Sequence, residues 1–409
     1  MLPKSRLTRK LTIVSTELLA FLALNTFLNT DRMLYLLGML LVFTTVLLII
    51  RKTVVFRELL ERSFSEEKNT AVLGVVLLAG IFPFFQASSP YNIYLITIAG
   101  IYVIMALGLD YMVGGTDLVN LGFAGFYAVG AYTAALLTTR LGWSFWSALP
   151  LAVLAAMLLG LLIGLPALKT KGYYLSLVTI AFGLIVHTLL TNMQWVGGAN
   201  GIKGIPVPEI GSYSFDQPLI VLGMRLPWET NFYYFVLLAV AACIIISHWI
   251  YHSRLGLIWN AIRDDELAAN CYGVNLNAGK MLAFILGSVW GGIGGAIYAP
   301  LNGYISPNNF EFFTSVMIIS MVILGGMGNV QGVAVGAVLL TLLPEKFRIF
   351  SDYRMFIFGL IIVIMIIYRP QGLMPAKRRK YEEFVPFKFL KGKSGLLPGE
   401  KEGTAVETS

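Results

Sequence analysis

Charge is what this chain has least of. Its 409 residues include 30 Lys and Arg and 22 Asp and Glu, together 13% of the sequence, about half the roughly 25% carried by soluble domains. So little charge cannot wet a soluble surface of this size, and 57% hydrophobic residues place the chain in the membrane class before any motif is considered. Cysteine is nearly absent too. Cys243 lies in an apolar run and Cys271 in a polar stretch, which excludes a disulfide scaffold and any Cys-based metal site. The three histidines, His187, His248 and His252, lack the spacing to carboxylates or cysteines that metal ligation needs. No P-loop occurs: Gly392-Lys393-Ser394 has Phe387 where the first glycine belongs, so the chain is not expected to bind ATP or any other cofactor itself. Within the apolar runs the carboxylates are Glu17 and Asp110. That is too few ionisable groups for a typical ion-coupled carrier, and no nucleophile and base are arranged for a membrane enzyme.

Long apolar segments are what it has in abundance. A bilayer core about 30 Å thick takes about 20 apolar helical residues. Twelve stretches qualify as full or short spans: 11–28, 33–50, 71–86, 92–112, 118–139, 146–168, 173–193, 232–250, 281–299, 314–327, 330–343 and 355–368. The expected fold is an all-α polytopic membrane protein with about 12 transmembrane segments, some short or broken. Placing the N-terminus in the cytoplasm and alternating the spans puts 23 of the 30 Lys and Arg inside, the bias that membrane insertion favours. Both termini are then cytoplasmic, and the net charge of +8 speaks of orientation rather than of nucleic acid. The same count requires a turn in 314–343, at the cluster Gly325, Gly326 and Gly328, because one long span would put the basic tail outside. Each arm of that hairpin is too short to cross alone, so both are expected to be half-length or tilted and packed inside protein.

Three regions follow. Residues 1–70 form a two-span N-terminal extension with a charged linker at 51–70; its Val54, Val55, Leu59 and Leu60 are compatible with a short amphipathic helix on the inner leaflet, but a solvated linker held near anionic lipid is the better reading. Residues 71–375 form the ten-span body, and 376–409 a basic tail with the composition of disorder. The largest outside loop, 194–231, is a lid or docking surface.

Two places in the body interrupt the helical texture alike: Gly114, Gly115, Asn120 and Gly122 in one, Gly325, Gly326 and Gly328 in the other. Paired glycine breaks in two halves of a transporter point to a midplane solute path; close helix packing explains them equally well. Packing is the better reading of Gly287, Gly291 and Gly295, four apart, and of Gly160 with Gly164. Asp110 flanks the first break, where snorkelling to the inner surface is the cheaper explanation of its charge. His187, with Thr188 and Asn192 close by, reads as a hydrogen-bonded structural histidine.

The cytoplasmic stretch 251–280 carries the most information. Residues 261–272 are expected to form a helix with Asn260 as its N-cap, Asp264, Asp265 and Glu266 near its positive end, and Gly273 as its left-handed stop. Ile262, Leu267, Ala268, Cys271 and Tyr272 give it an apolar side that fits either its own bundle or a partner's groove.

AIRDDELAANCYGVN at 261–275 and KMLAFILGSVWGGIGGAIYA at 280–299 resemble the coupling loop and following span of permease subunits of ATP-binding-cassette importers for branched-chain amino acids, of the LivM type. Further matching stretches occur in order at 107–137, 171–183, 197–206, 305–312, 322–345 and 368–373; Asp110, Asn120 and Phe123 depart from the usual residues. The resemblance spans roughly 90–375 and leaves 1–70 uncovered. It implies a permease in the inner membrane of a prokaryote that carries leucine, isoleucine and valine inward beside a second homologous permease. Two cytoplasmic ATPases would use the ATP, and an extracytoplasmic solute-binding protein would deliver the solute. It implies further that Ala261, Ile262, Arg263, Asp264, Asp265, Glu266, Leu267, Ala268 and Gly273 form the loop on which an ATPase docks. A related permease for urea or short amides is the near alternative, and a self-sufficient carrier or channel the distant one.

Overall fold

The computed structural model describes residues 6–30, 67–167, 173–221 and 223–346, together with 359–360, 363–364, 367–369 and 371–376. All but Ala376 belong to the compact unit Met1–Pro375. The expected span 33–50, most of 355–368, nearly all of the linker 51–70 and the tail after Ala376 lie outside the described residues.

In chain order the helices are α1 (Arg6–Asn29), α2 (Lys68–Phe85), α3 (Pro90–Asp110), α4 (Ala124–Arg140), α5 (Phe145–Ala167), α6 (Tyr173–Asn192), α7 (Glu229–His252), α8 (Arg254–Asp264), α9 (Glu266–Cys271), α10 (Leu276–Asn302), α11 (Phe312–Gly325) and α12 (Val330–Lys346). Among the described residues, seven stretches are long and apolar enough to cross a membrane: Thr12–Asn29, Pro90–Gly115, Phe145–Pro166, Tyr174–Asn192, Glu229–His252, Leu276–Asn302 and Pro307–Gly325. α2 and α12 supply shorter apolar helices. The protein is thus a helical polytopic membrane protein.

α10 runs through the centre, against α3, α4 and α5. Its glycines explain how closely. A side chain at Gly287 would strike Met112 and the Gly108 carbonyl, one at Gly291 Phe123 and Phe126, and one at Gly295 the Tyr127 carbonyl. Gly292 faces Ala156, while Gly160 and Gly164 of α5 meet Ser288 and Met281. Small residues four apart bring whole helix backbones together, which is how helices associate where lipid offers no hydrophobic driving force. The packing reading of these glycines holds.

The N-terminal helix is fastened to this body. Phe21 of α1 meets Phe82 and Phe85 of α2 edge-on, at 6.3 and 5.4 Å. Beside them the Gln86 amide donates to Asn25, and the Asn92 amide donates to Asn29 and Gln86. Such interhelical amide bonds contribute about 0.6–2 kcal/mol each inside a membrane.

α11 and α12 form the hairpin that the charge count required. The chain reverses at 326–329, where Gly326 and Gly328 have φ of 117° and 78°, conformations that a side chain rarely tolerates. Gly325 packs directly on Gly332, and Gly336 on Gly325. At the end of α10 remote from this turn, three antiparallel ribbons shape the loops. β1 (Ile202–Lys203) pairs with β6 (Tyr304–Ile305), β2 (Glu209–Ile210) with β3 (Tyr213–Ser214), and β4 (Leu219–Val221) with β5 (Met224–Leu226). The loop 194–231 is therefore ordered, and β1–β6 ties it to the segment after α10.

Two local expectations are corrected. The span read as 118–139 starts at Ala124, because Asp117 turns the chain with φ of 56° and Asn120 Oδ1 accepts the Gly122 N–H at 2.9 Å, holding 117–123 as a non-helical segment that is mostly buried beyond Asp117. The single helix at 261–272 is two. Ser253, rather than Asn260, caps α8 by accepting the Leu255 N–H, and Asp265 interrupts the run to cap α9, accepting the N–H groups of Leu267 and Ala268 at 2.8 and 3.0 Å. Gly273 does stop α9 in a left-handed turn, with φ of 79°.

Candidate functional site

α3 does not end at Asp110. The chain widens there into one π-helical turn, Tyr111–Gly115, and such turns leave helices with backbone groups free to pair elsewhere. Here they pair across the fold. The Thr116 hydroxyl and the Leu118 N–H both donate to the Met112 carbonyl, each at 2.9 Å. The Gly114 carbonyl accepts from Arg263 of α8 at 2.7 Å.

α8 grips this turn with a second handle. Trp259 is fully buried, its ring 5.5 Å from that of Tyr111 and 6.1 Å from that of Tyr251, while its N–H donates to the Gly279 carbonyl of α10 at 2.9 Å. A Cβ on Gly115 would come within 3.1 Å of the indole, so even an alanine there would require the ring to give by a few tenths of an ångström. Tyr111 is fixed in turn: its hydroxyl shares a hydrogen bond with Ser247 of α7 at 2.7 Å and accepts one from Trp290 of α10 at 3.2 Å.

Asp110 stands at the middle of this junction and is wholly buried. The snorkelling expected of it does not occur. One carboxylate oxygen accepts the Gly328 N–H at 2.8 Å and the other accepts the Tyr251 hydroxyl at 2.6 Å. A Cβ on Gly114 would fall on Asp110 and on the Gly328 nitrogen at once. The two glycine breaks, 218 residues apart at Asp110 and Gly328, are therefore brought into contact. They meet at the end of α3 beside α8 rather than halfway along it.

The remaining break residues pack locally. Gly122 presses on the Thr179 carbonyl of α6. Asn120 is buried, its amide donating to the Met112 sulfur at 3.2 Å. Gly325 and Gly326 lie under residues 371–374, where the N–H groups of Leu373 and Met374 donate to the Leu324 and Gly325 carbonyls at 2.8 and 3.0 Å. His187 corrects another expectation, since its Nε2 is buried without a hydrogen-bond partner.

The predicted docking residues divide between two faces. Ile262 and Arg263 point inward, Glu266 forms an ion pair with Lys280 of α10 at 2.6 Å, and Ala261 is half-buried. Asp264, Asp265, Ala268 and Gly273 are exposed, as are Leu267 at 75% and, beside them, Tyr272 at 88%. Trp259, Tyr251 and Ser253 complete the site and escaped the sequence reading. The available signal was an aromatic pair eight residues apart, Tyr251 and Trp259, flanking a serine cap.

The chain matches the family described as branched-chain amino acid transport system / permease component over residues 91–366. It is 36% identical to the high-affinity branched-chain amino acid transport system permease protein LivM of Salmonella typhimurium, over 81% of this chain and 78% of that protein. The LivM protein of Escherichia coli matches with the same identity and coverage. The LivH permease of Escherichia coli is 19% identical over 68% of this chain and 92% of that protein. No solved structure matches.

Proposed function

The chain belongs to the family of permease components of branched-chain amino acid transport systems, membrane permeases rather than enzymes, and we propose that it carries leucine, isoleucine and valine into the cytoplasm as one subunit of an ATP-driven importer. The assembly would contain a second permease akin to LivH, two cytoplasmic ATPases that use all the ATP, and an extracytoplasmic solute-binding protein, in the inner membrane of a prokaryote.

The observation that carries this reading is the two-faced build of α8 and α9. Their inner face, with Trp259, Ile262 and Arg263, holds the π-turn of α3. Their outer face leaves Leu257, Leu267 and Tyr272 exposed on a stretch too short and too polar to span the bilayer. A short element gripping the bundle on one side and offering apolar anchors on the other is what a partner groove would receive. An ATPase seated there has purchase on the bundle, and its closure need only favour one of two arrangements by a few kcal/mol to shift their populations.

The solute path in this reading runs beside the breaks at Gly114, Gly115, Asn120 and Gly122 and at Gly325, Gly326 and Gly328. Their close packing shuts the α8 end, and transport requires the joined breaks to swing aside together. The test is uptake of labelled leucine into vesicles holding this chain with its second permease, the ATPases and the binding protein. Uptake is expected only with ATP inside and binding protein outside. Uptake driven by an ion gradient without ATP, or flux through this chain alone, overturns the proposal in favour of a self-sufficient carrier or channel.

A further inference from the structure

We propose that Asp110 is a positioning residue that locks the two breaks together, so that a displacement of α8 reaches the α11–α12 turn as well as the end of α3; this rests on the reading of α8 and α9 as the element an ATPase moves. A buried carboxylate is stable only while its oxygens are satisfied. Those of Asp110 are satisfied by two different elements: the α11–α12 turn through Gly328 N–H and the end of α7 through the Tyr251 hydroxyl, which also reaches the Asp110 carbonyl at 3.1 Å. A third element, α8, holds the same turn of chain four residues on, through Arg263 and the Gly114 carbonyl.

Letting go of either partner would leave a buried charge with an unmatched oxygen, so the cheapest motion carries all four pieces together. Among the described residues no other hydrogen bond joins the α11–α12 turn to the stretch from Asp110 to Gly115. The Gly328 N–H is a backbone donor, and Gly114 is bare of a side chain where one would wedge between donor and carboxylate. Tyr251 adds direction, because it lies two residues before the Ser253 cap of α8. Motion of α8 thus pulls on Asp110 from the α7 side while Arg263 pulls on Gly114.

With an apolar residue at 110 the bundle would remain packed but the breaks would move separately, and hydrolysis would no longer be converted into solute movement. The measurement is uptake per ATP hydrolysed by the full reconstituted assembly. Asp110→Ala is expected to leave binding-protein-stimulated hydrolysis within about twofold of wild type and to lower uptake per ATP by about tenfold or more, the scale of a lost hydrogen bond to a charged group. Asp110→Asn is expected to restore most of it, since the amide oxygen can accept from Gly328 while its NH2 donates to the Tyr251 oxygen. Tyr251→Phe, which keeps the ring and removes one donor, should give an intermediate loss and decides the matter should Asp110→Ala fail to assemble. The proposal is overturned if these variants keep the wild-type uptake per ATP, or if Asn fails as Ala does. Wild-type uptake without ATP would instead defeat the functional reading beneath it.

Discussion

Gly287, Gly291 and Gly295 of α10 and Gly114, Gly115 and Gly328 of the two breaks look alike in the sequence, short runs of small residues in an apolar chain. They meet different things. The α10 row faces apolar side chains and backbone carbonyls spread along α3 and α4, so its cost of filling is steric and is shared along a seam. The break glycines face a carboxylate, a backbone N–H and an indole that belong to separate elements. Filling them cuts a polar junction while leaving the seam intact. Glycine in the first region serves stability and in the second the transmission of movement.

The largest effect is expected where the seam is tightest. Gly295→Leu would drive a side chain into the Tyr127 carbonyl and the Ala131 nitrogen, backbone that cannot yield as side chains do. Overpacking costs about 1–3 kcal/mol even when side chains can shift, so no monodisperse folded protein should be recovered in detergent, and uptake should vanish with it. Gly114→Ala comes next and should differ in kind. Its methyl would overlap Asp110 and the Gly328 nitrogen, but the α11–α12 turn can move off Asp110 without opening the α10 seam, so folded protein should be recovered while uptake per ATP falls about tenfold, on the scale of one hydrogen bond to a charge. Equal losses of folded yield in the two variants would erase the distinction between seam and junction.

Arg263→Ala sharpens the same contrast from the α8 side. It removes one charged donor from the Gly114 carbonyl, worth about 1.5–3 kcal/mol when buried. α8 keeps its Trp259 handle, so uptake per ATP should fall less than in Gly114→Ala, with the unfolding midpoint in detergent lowered modestly by the lost bond. Arg263→Lys should recover part of it. A variant with full uptake per ATP would show that Trp259 alone transmits the motion.

Much of this architecture was legible because charge and hydrophobicity are summed over many residues. The hairpin of α11 and α12 followed from counting cations, and the α10 seam from glycines four apart. The end of α9 followed from Gly273, a residue whose backbone freedom is a local property. The junction was not legible for the converse reason. Asp110 meets Gly328 and Tyr251 at separations of 218 and 141 residues, and no local pattern encodes such a meeting, so a buried carboxylate looked like one ready to snorkel. The break at Asp265 sat within reach. Three acids in a row resembled a favourable first turn, and the middle one is instead a cap, a role that Asp fills as readily.

The smallest effect belongs to a glycine of neither kind. Gly142, in the turn after α4, has φ of 65° and open space where a Cβ would lie. Gly142→Ala therefore meets no seam and cuts no junction; it asks only that an alanine adopt a left-handed backbone, at about 1–2 kcal/mol. A slightly lower unfolding midpoint with wild-type uptake per ATP is expected, measured on the same preparation. A loss of uptake per ATP at Gly142 matching that at Gly114 would mean that backbone strain anywhere in the bundle impairs transport, and the special standing of the Asp110 junction would fall.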